Sequence, residues 1–340
     1  MSCPTELGSD RDRAAGLGRR AAGPRSDAAP PGGAGPRPDT EPGSGAGPRS
    51  DAEPRSDSRP EHRGPQLRAG QALILGALHG PAELLPISSS GHVALIPWLR
   101  GWDYDRLDAE LRKSFEVALH AGTAAALLIT LRSEVGDALH VMTPRLVGLI
   151  ALSFAPPAII GYKLERVIER RFGTPPTIAA GLIGGSIVMA WADRTPQRRR
   201  SQEAGPWDAL FLGLAQACAL MPGVSRNGAT LAVARLRRFT RADANRLSRH
   251  VALPVIAGAT ALKGVRLAKR GLPPGTGGSF ALGAAASFVS TLGSTWLISQ
   301  VERDRSLLPY AAYRIVLAGA VLRRLRQPRG RSAGCKTMTA

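Results

Sequence analysis

The chain has little cysteine, few aromatic residues and no acidic excess. Its three cysteines, Cys3, Cys218 and Cys335, are odd in number and widely spaced, which predicts neither a disulfide framework nor a cysteine metal site. Aromatic side chains make up 5% of the 340 residues, although the net charge is +19. Surfaces that bind single-stranded nucleic acid combine basic residues with aromatic ones. The sequence therefore predicts no nucleic-acid partner.

Residues 1–66 almost lack large apolar side chains. They are rich in Gly, Pro and Ala and repeat Pro-Arg-Ser-Asp three times, beginning at Pro24, Pro48 and Pro54. Such a segment buries too little apolar surface to offset its ordering entropy. We expect a disordered N-terminal tail. Because it has no apolar core of the kind a secretory signal needs, the first membrane span would itself direct insertion.

The positive charge belongs to the apolar part of the chain. Residues 1–68 hold 11 arginines and 10 acids, which leaves 34 basic and 16 acidic groups for the other 272 residues. The basic residues cluster in short connectors such as 194–200 and 235–241, a pattern typical of membrane proteins. Clusters at 163–171 and 194–200 flank the apolar run between them on both sides. Charge alone therefore leaves the topology open.

Long apolar runs predict about six transmembrane helices between residues 67 and 326, the predicted membrane domain, which a short basic tail (327–340) follows. Crossing the membrane takes roughly 20 apolar residues. Some runs reach that length alone and others with their flanks, and the last is interrupted by Arg314. The runs are 117–131, 146–162, 175–192, 251–262, 279–301 and 307–325.

Two further apolar regions, 69–99 and 209–234, are each broken in the middle by Pro, Gly and Ser. The breaks read LLPISS and LMPGVS, so that Pro86 corresponds to Pro222 and Ser89 to Ser225. Paired interrupted segments in two halves of a membrane protein predict inverted repeats with a binding site between them. Upstream, with a one-residue slip, Gly76 and His79 correspond to Gly213 and Gln216.

Each of the two interrupted apolar regions contains one formal charge. Glu83 stands alone between Arg68 and Arg100, and Arg226 stands alone in its own apolar region. An ionisable group at membrane depth persists mainly where it faces a partner or a cavity. Glu83 and Arg226 are either a structural ion pair or parts of a site in which a guanidinium and two helix N-termini bind a phosphate.

The segments GALHGPAELLPISSSGH, FEVALHAGTAAALL, LMPGVSRNGAT and TRADANRLSRHVALPVIAGA resemble the undecaprenyl-diphosphate phosphatases, the bacitracin-resistance membrane proteins of bacteria. The resemblance runs from about residue 66 to 325. It implies an all-α polytopic protein of inverted repeats with six spanning helices and two re-entrant helical hairpins. The implied reaction removes the terminal phosphate of a C55 isoprenyl diphosphate and regenerates the lipid carrier for peptidoglycan synthesis. The implied site opens to the outer face of the plasma membrane, and the sequence leaves a homodimer open.

Carried over by position, the resemblance implies a catalytic set and a substrate-binding set. Direct attack by His92, and activation of Ser89 or water by His92, are both compatible with the sequence. One of the serines is also expected to cap a helix. The catalytic set is Glu83, Ser89, His92 and Arg226, and the substrate-binding set is Ser88, Ser90, Gly223, Ser225 and Asn227.

Two positions depart from the family pattern. Asn227 replaces the usual Ser, and His79 stands one helical turn before Glu83 where the family has Glu or Gln. The resemblance implies that this pair holds a divalent cation, Mg²⁺ or Ca²⁺, and imidazole is a poorer ligand than carboxylate for such hard ions. His79 therefore predicts weaker binding of Mg²⁺ or Ca²⁺ than a carboxylate would give, and His79→Glu is expected to tighten it.

Two alternatives stay open at this point. Ser90-Gly91-His92 and Ser225-Arg226 also echo the acid-phosphatase-like lipid phosphatases, which have a His six residues after the Arg, where Ala232 stands. Inverted repeats with broken helices are also transporter features, so a lipid-carrier flippase is the second alternative. Phosphate release in detergent separates it from an enzyme.

The tail is expected to be dispensable for chemistry because it lacks both apolar surface and the motif residues. A chain that starts at Gln66 should keep the turnover number of the full chain, measured as phosphate release per inserted molecule. A large loss of turnover in correctly inserted protein would contradict this expectation.

Overall fold

The computed structural model describes residues 67–140, 142–272, 275–303 and 306–327. Over these residues the chain is helical, and an isolated backbone bridge between Arg199 and Phe239 is the one β contact there. The prediction of an all-α protein is confirmed. Both predicted tails, 1–66 and 327–340, lie outside the described residues except for Gln327.

Each predicted apolar run is helical, although α3, α5 and α9 extend well beyond their runs. Two of the described helices, α5 and α6, are long and apolar enough to cross a membrane by length and composition. In chain order the helices are α1 (Ala69–Leu84), α2 (Ser89–Arg100), α3 (Ala109–Thr130), α4 (Arg132–His140), α5 (Pro144–Phe172), α6 (Pro175–Asp193), α7 (Pro206–Cys218), α8 (Arg226–Leu236), α9 (Arg241–Arg270), α10 (Gly277–Gly293), α11 (Trp296–Arg303) and α12 (Leu308–Arg326).

The run 279–301, predicted as one helix, is two helices. It turns at residues 294–295, between α10 and α11. Gly293 has a low helix propensity, and the Thr295 hydroxyl donates to the carbonyl of Leu292 at 3.0 Å. A side chain that bonds the backbone in this way competes with helical hydrogen bonding, which accounts for the break.

The two predicted breaks are present. They separate α1 from α2, the first helix pair, and α7 from α8, the second helix pair. Ser88 (φ 79°) and Ser225 (φ 70°) occupy the left-handed region at these breaks, where a non-glycine residue is uncommon. Each is an N-cap whose hydroxyl accepts from a glycine amide, Gly91 at 3.3 Å and Gly228 at 3.1 Å.

These caps correct the predicted register of the repeats. Ser225 corresponds to Ser88 rather than to Ser89, because those two serines share the backbone conformation and the capping bond. Ser89 then corresponds to Arg226, as the first residue of α2 and of α8. The alignment of the two halves by conformation and hydrogen bonding therefore differs by one residue from the alignment that matches Pro86 with Pro222.

The two helix pairs pack against the rest of the chain in matching ways. α1 packs closely on α10, while α7 packs closely on α5. Glycines allow both approaches: a Cβ at Gly76 would collide with the carbonyl of Gly283, and one at Gly213 would stand 2.7 Å from the carbonyl of Ser153. Small residues at helix contacts let backbones come together in membrane proteins. α3 also contacts α9, and α6 contacts α12.

The first helix pair opens toward one end of the bundle, which we call the first end. There the Arg324 side chain near the end of α12 donates to the carbonyl of Leu99 in α2 at 2.5 Å. At the same end Ser279 in α10 donates to the carbonyl of Leu67 before α1 at 2.8 Å.

The second helix pair opens toward the other end, the second end. Arg145 at the start of α5 donates to the carbonyl of Ala204 just before α7, at 3.3 Å. Arg241 at the start of α9 pairs with Asp193 at the end of α6, at 2.7 Å. Ser306, just before α12, donates to Asp193 at 2.7 Å, so α12 runs from the second end to the first, and the two helix pairs enter the bundle from opposite ends.

Arg314 holds both breaks together. It lies in α12 with no exposed surface. Its guanidinium donates to the carbonyl of Pro86 in the first break at 3.3 Å, and to those of Gly223 and Val224 in the second at 3.0 and 2.9 Å. The charge that interrupts the last apolar run thus satisfies carbonyls that the broken helices leave free.

Arg314→Met should destabilise the fold because buried carbonyls would lose their donors. An unsatisfied buried polar group costs roughly 1–3 kcal/mol, so we expect a clear fall in the melting temperature in detergent. Arg323→Met is the matched control, because Arg323 lies exposed in the same helix. Equal melting temperatures for the two variants would contradict this role of Arg314.

Candidate active site

Glu83 connects the two helix pairs. Its carboxylate, 7% exposed, accepts from the Ser89 hydroxyl at one oxygen and from the Arg226 guanidinium at the other. Because Ser89 and Arg226 begin α2 and α8, one carboxylate joins two helix N-termini. The structure therefore brings together three of the four residues predicted to be catalytic.

The residues predicted to bind substrate surround these helix starts. Ser88 and Ser225 are buried and cap α2 and α8, which confirms that one of the three consecutive serines is a cap. Ser90 is half-buried, with its hydroxyl 3.5 Å from that of Ser88. Gly223 lies against α2, because a Cβ atom added at Gly91 would stand 3.6 Å from the Cα of Gly223.

Asn227 links three helices. Its amide nitrogen donates to the carbonyl of Leu84 in α1 at 2.9 Å, and its amide oxygen accepts from Ser248 in α9 at 3.1 Å. Asn227 thus satisfies a carbonyl at the end of α1, and α9 fixes its orientation.

His92 belongs to a separate hydrogen-bond group. Its Nδ1 lies 2.7 Å from the carbonyl of Ser88, and its Nε2 lies 2.7 Å from the hydroxyl of Tyr313, whose ring stacks on the imidazole. A carbonyl can only accept, so Nδ1 carries the proton and Tyr313 donates to Nε2. Within the described residues no hydrogen bond joins His92 to Ser89.

His79 lies beside Glu83, as the helical spacing predicts. A second histidine, His120 of α3, packs edge-on against the His79 ring with 4.5 Å between ring centroids. Its Nε2 is 3.9 Å from a Glu83 oxygen. One ligand atom from each of the three side chains lies within 4.8 Å of the other two.

A cavity of about 60 Å³ borders Glu83. Its polar lining is Glu83, Arg226, Asn227, Asn245, Ser248 and Arg249. The remainder is largely apolar, which suits a molecule with an anionic head and a hydrocarbon tail. The apolar lining is Leu84, Leu127, Leu131, Ala252, Leu253, Ile256, Ile298 and Val301.

The sequence interpretation missed three residues of this region. His120 received no role, although it is the one ionisable residue in the apolar run 117–131 and the reasoning applied to Glu83 would have found it. Arg314 was noted only as an interruption of a span. Tyr313 gave no signal, because nothing in sequence relates it to His92, more than two hundred residues earlier.

These features define an all-helical protein whose buried carboxylate, guanidinium and paired helix N-termini suit phosphate chemistry. The family model described as bacitracin resistance protein BacA matches residues 72–320. The chain belongs to this family.

Several relatives are named undecaprenyl-diphosphatase. The chain is 41% identical over 265 residues to the one from Geobacter sulfurreducens, a match that covers 74% of this chain and 96% of the relative. It is 36% identical over 264 residues to the one from Geobacter metallireducens, a match that covers 74% of this chain and 96% of that relative. It is 35% identical over 266 residues to the one from Rubrobacter xylanophilus, and this match also covers 74% of this chain and 96% of the relative.

Proposed function

We propose that the chain is a membrane phosphatase that hydrolyses undecaprenyl diphosphate to undecaprenyl phosphate and phosphate. Through this reaction it recycles the lipid carrier of peptidoglycan synthesis and gives resistance to bacitracin. The observation that carries the proposal is the contact of Glu83 with Ser89 and Arg226 at two helix N-termini, at the polar end of an apolar cavity. The charged groups at the polar end match the chemistry of a diphosphate, and the apolar lining matches that of an isoprenyl chain.

In this proposal the protein is a multi-pass protein of the bacterial plasma membrane. α3, α5, α6, α9, α10 with α11, and α12 are its six crossings, and the two helix pairs are re-entrant hairpins. Entry of the pairs from opposite ends supports inverted repeats. Because both ends carry basic residues, the outward-facing site follows from the family resemblance rather than from charge.

Substrate binding is assigned to Arg226 and the starts of α2 and α8. A guanidinium offers a planar fork of donors that matches phosphate oxygens. Free amides at a helix N-terminus and the helix dipole favour an anion at the same place. In the absence of substrate Glu83 neutralises Arg226, so the diphosphate would compete with this carboxylate for the guanidinium.

We assign the nucleophile to Ser89, because its hydroxyl donates to Glu83, whereas both ring nitrogens of His92 are hydrogen-bonded elsewhere. Ser89 Oγ attacks the terminal phosphorus and transfers its proton to Glu83. The bond from that phosphorus to the bridging oxygen breaks, and its electron pair leaves with undecaprenyl phosphate. Water then hydrolyses the phosphoserine and releases phosphate. His92 orients the α2 start through the Ser88 carbonyl.

The function is tested by phosphate release from undecaprenyl diphosphate by the purified chain in detergent. An enzyme releases phosphate over many turnovers, whereas a flippase alone releases none. Among enzymes, the acid-phosphatase-like alternative would need a histidine six residues after Arg226. Ala232 stands there, fully buried in the apolar core, which disfavours that alternative.

Arg226→Ala should lower turnover by about 10²- to 10³-fold, the effect typical of losing one preorganised donor. Arg226→Lys should recover part of the loss, because it restores the charge without the bidentate fork. The exposed Arg132, at the start of α4, provides the control Arg132→Ala. Melting temperatures separate loss of chemistry from loss of fold. If the turnover of Arg226→Ala were close to that of the parent, the assignment of substrate binding to Arg226 would be wrong.

A phosphoserine should accumulate if Ser89 attacks the substrate. Acid quenching during turnover, followed by mass spectrometry of the peptides, should find the phosphate on Ser89, and Ser89→Ala should abolish both the adduct and turnover. Phosphate on His92 instead, or full turnover by Ser89→Ala, would contradict the assignment.

A further inference from the structure

The environment of His79 fixes its protonated nitrogen. Nδ1 lies 2.9 Å from the Thr123 hydroxyl, which lies 2.8 Å from the Ser287 hydroxyl. Ser287 in turn donates to the carbonyl of Leu119 at 2.9 Å. Because a carbonyl only accepts, the Ser287 proton goes to Leu119, the Thr123 proton to Ser287, and the Nδ1 proton of His79 to Thr123. Nε2 of His79 therefore carries a lone pair.

That lone pair has no hydrogen-bond donor among the described residues, and the side chain is 1% exposed. Buried polar atoms are rarely left without a partner, and each exception needs an explanation such as a bound ion. His79 offers one ring nitrogen to a cluster of three ligand atoms that lie within 4.8 Å of one another, and Nε2 is the nitrogen that Thr123 leaves free. An unpartnered acceptor thus lies beside a carboxylate.

His120 is oriented in the same way. Its Nδ1 lies 2.8 Å from the carbonyl of Glu116 and must donate to it. In the neutral imidazole its Nε2 therefore also carries a lone pair, and this atom lies 3.9 Å from a Glu83 oxygen. The two imidazoles and the Glu83 carboxylate thus offer three donor atoms within 4.8 Å of one another, a set that a metal ion can join.

We infer that His79, His120 and Glu83 bind one divalent transition-metal ion of the zinc class. Zinc is bound by imidazole nitrogens and carboxylate oxygens, and catalytic zinc sites use three protein ligands and keep a further position open. Metal-bound histidines donate their other nitrogen to an outer partner that fixes the tautomer. Thr123 and the Glu116 carbonyl are those partners here.

The donor set does not fit the Mg²⁺ or Ca²⁺ that the family resemblance implies. Those hard ions take oxygen ligands, whereas imidazole suits zinc, copper, iron and nickel. Two of the three donors in this chain are imidazoles. His79 thus changes the kind of ion that the position selects rather than abolishing the site.

The ion would lie next to the proposed catalytic groups, because Glu83 also contacts Ser89 and Arg226. A phosphate oxygen of a diphosphate bound at Arg226 would be a chemically suitable further ligand. The binding of a substrate phosphate to the ion rests on the proposed function. The binding of the ion by His79, His120 and Glu83 is independent of it.

The test uses the full chain without a histidine tag, purified in detergent, stripped with a chelator and reloaded with Zn²⁺ or Co²⁺. Elemental analysis should find about one Zn²⁺ per chain, retained against excess Mg²⁺ or Ca²⁺. Co²⁺ in the same site should give visible d–d absorption. Zn²⁺ should also raise the melting temperature of the parent, because a ligand that binds the folded state stabilises it.

Three variants locate the ion. His79→Gln and His120→Gln should each weaken Zn²⁺ binding at least tenfold and remove the Co²⁺ absorption. Thr123→Val keeps all three ligands and loses an outer partner, which should weaken binding about 10- to 100-fold. The matched control is His140→Gln: His140 is exposed, and its Nδ1 makes the same kind of bond, to the carbonyl of Gly136 at 3.0 Å.

His79→Glu should move the preference toward Mg²⁺ or Ca²⁺, which shows that the position binds metal even if the Gln variants fold poorly. Absence of Zn²⁺ uptake by folded parent, or equal uptake by the parent and the His79 and His120 variants, would overturn the inference. Phosphate release is measured in parallel. Zn²⁺ uptake without phosphatase activity would refute the proposed function alone, and activity without Zn²⁺ uptake would refute the metal site alone.

Discussion

Each of the two broken helix pairs leaves backbone groups free inside an apolar bundle, and the rest of the architecture depends on pairing them. Arg314 supplies donors to carbonyls of both breaks, and Asn227 supplies one to Leu84. Ser88 and Ser225 accept from amides in the first turns of the following helices, those of Gly91 and Gly228. The hydrogen bonds that make the breaks tolerable also hold two helix N-termini close together, which creates the site.

The sequence predicted this architecture well where the signal is local. Helix positions follow from apolar runs, and the breaks follow from Pro, Gly and Ser within them. Glu83 and Arg226 were found because each is the lone charge in its apolar segment. The register of the repeats was wrong by one residue, because it relied on the matching prolines, whereas capping by Ser88 and Ser225 sets the alignment.

What the sequence did not predict depends on long-range packing. The contact of Tyr313 with His92, and that of Arg314 with two breaks, require α12 to pack between distant segments, and no periodicity encodes that arrangement. His92 is adjacent to the serines in sequence, which suggested a direct role with Ser89. Its side chain instead bonds the Ser88 carbonyl and Tyr313, because the turn of α2 directs the imidazole there.

The close contact of α1 with α10 has a consequence for the route of a lipid. Side chains larger than hydrogen at Gly76 and Gly80 would collide with Gly283 and Ser290, so a hydrocarbon chain finds no passage between these two helices. Most of the apolar lining of the cavity comes instead from α3, α9 and α11. A long hydrocarbon chain whose head lies at the buried carboxylate would therefore lie along that lining rather than between α1 and α10.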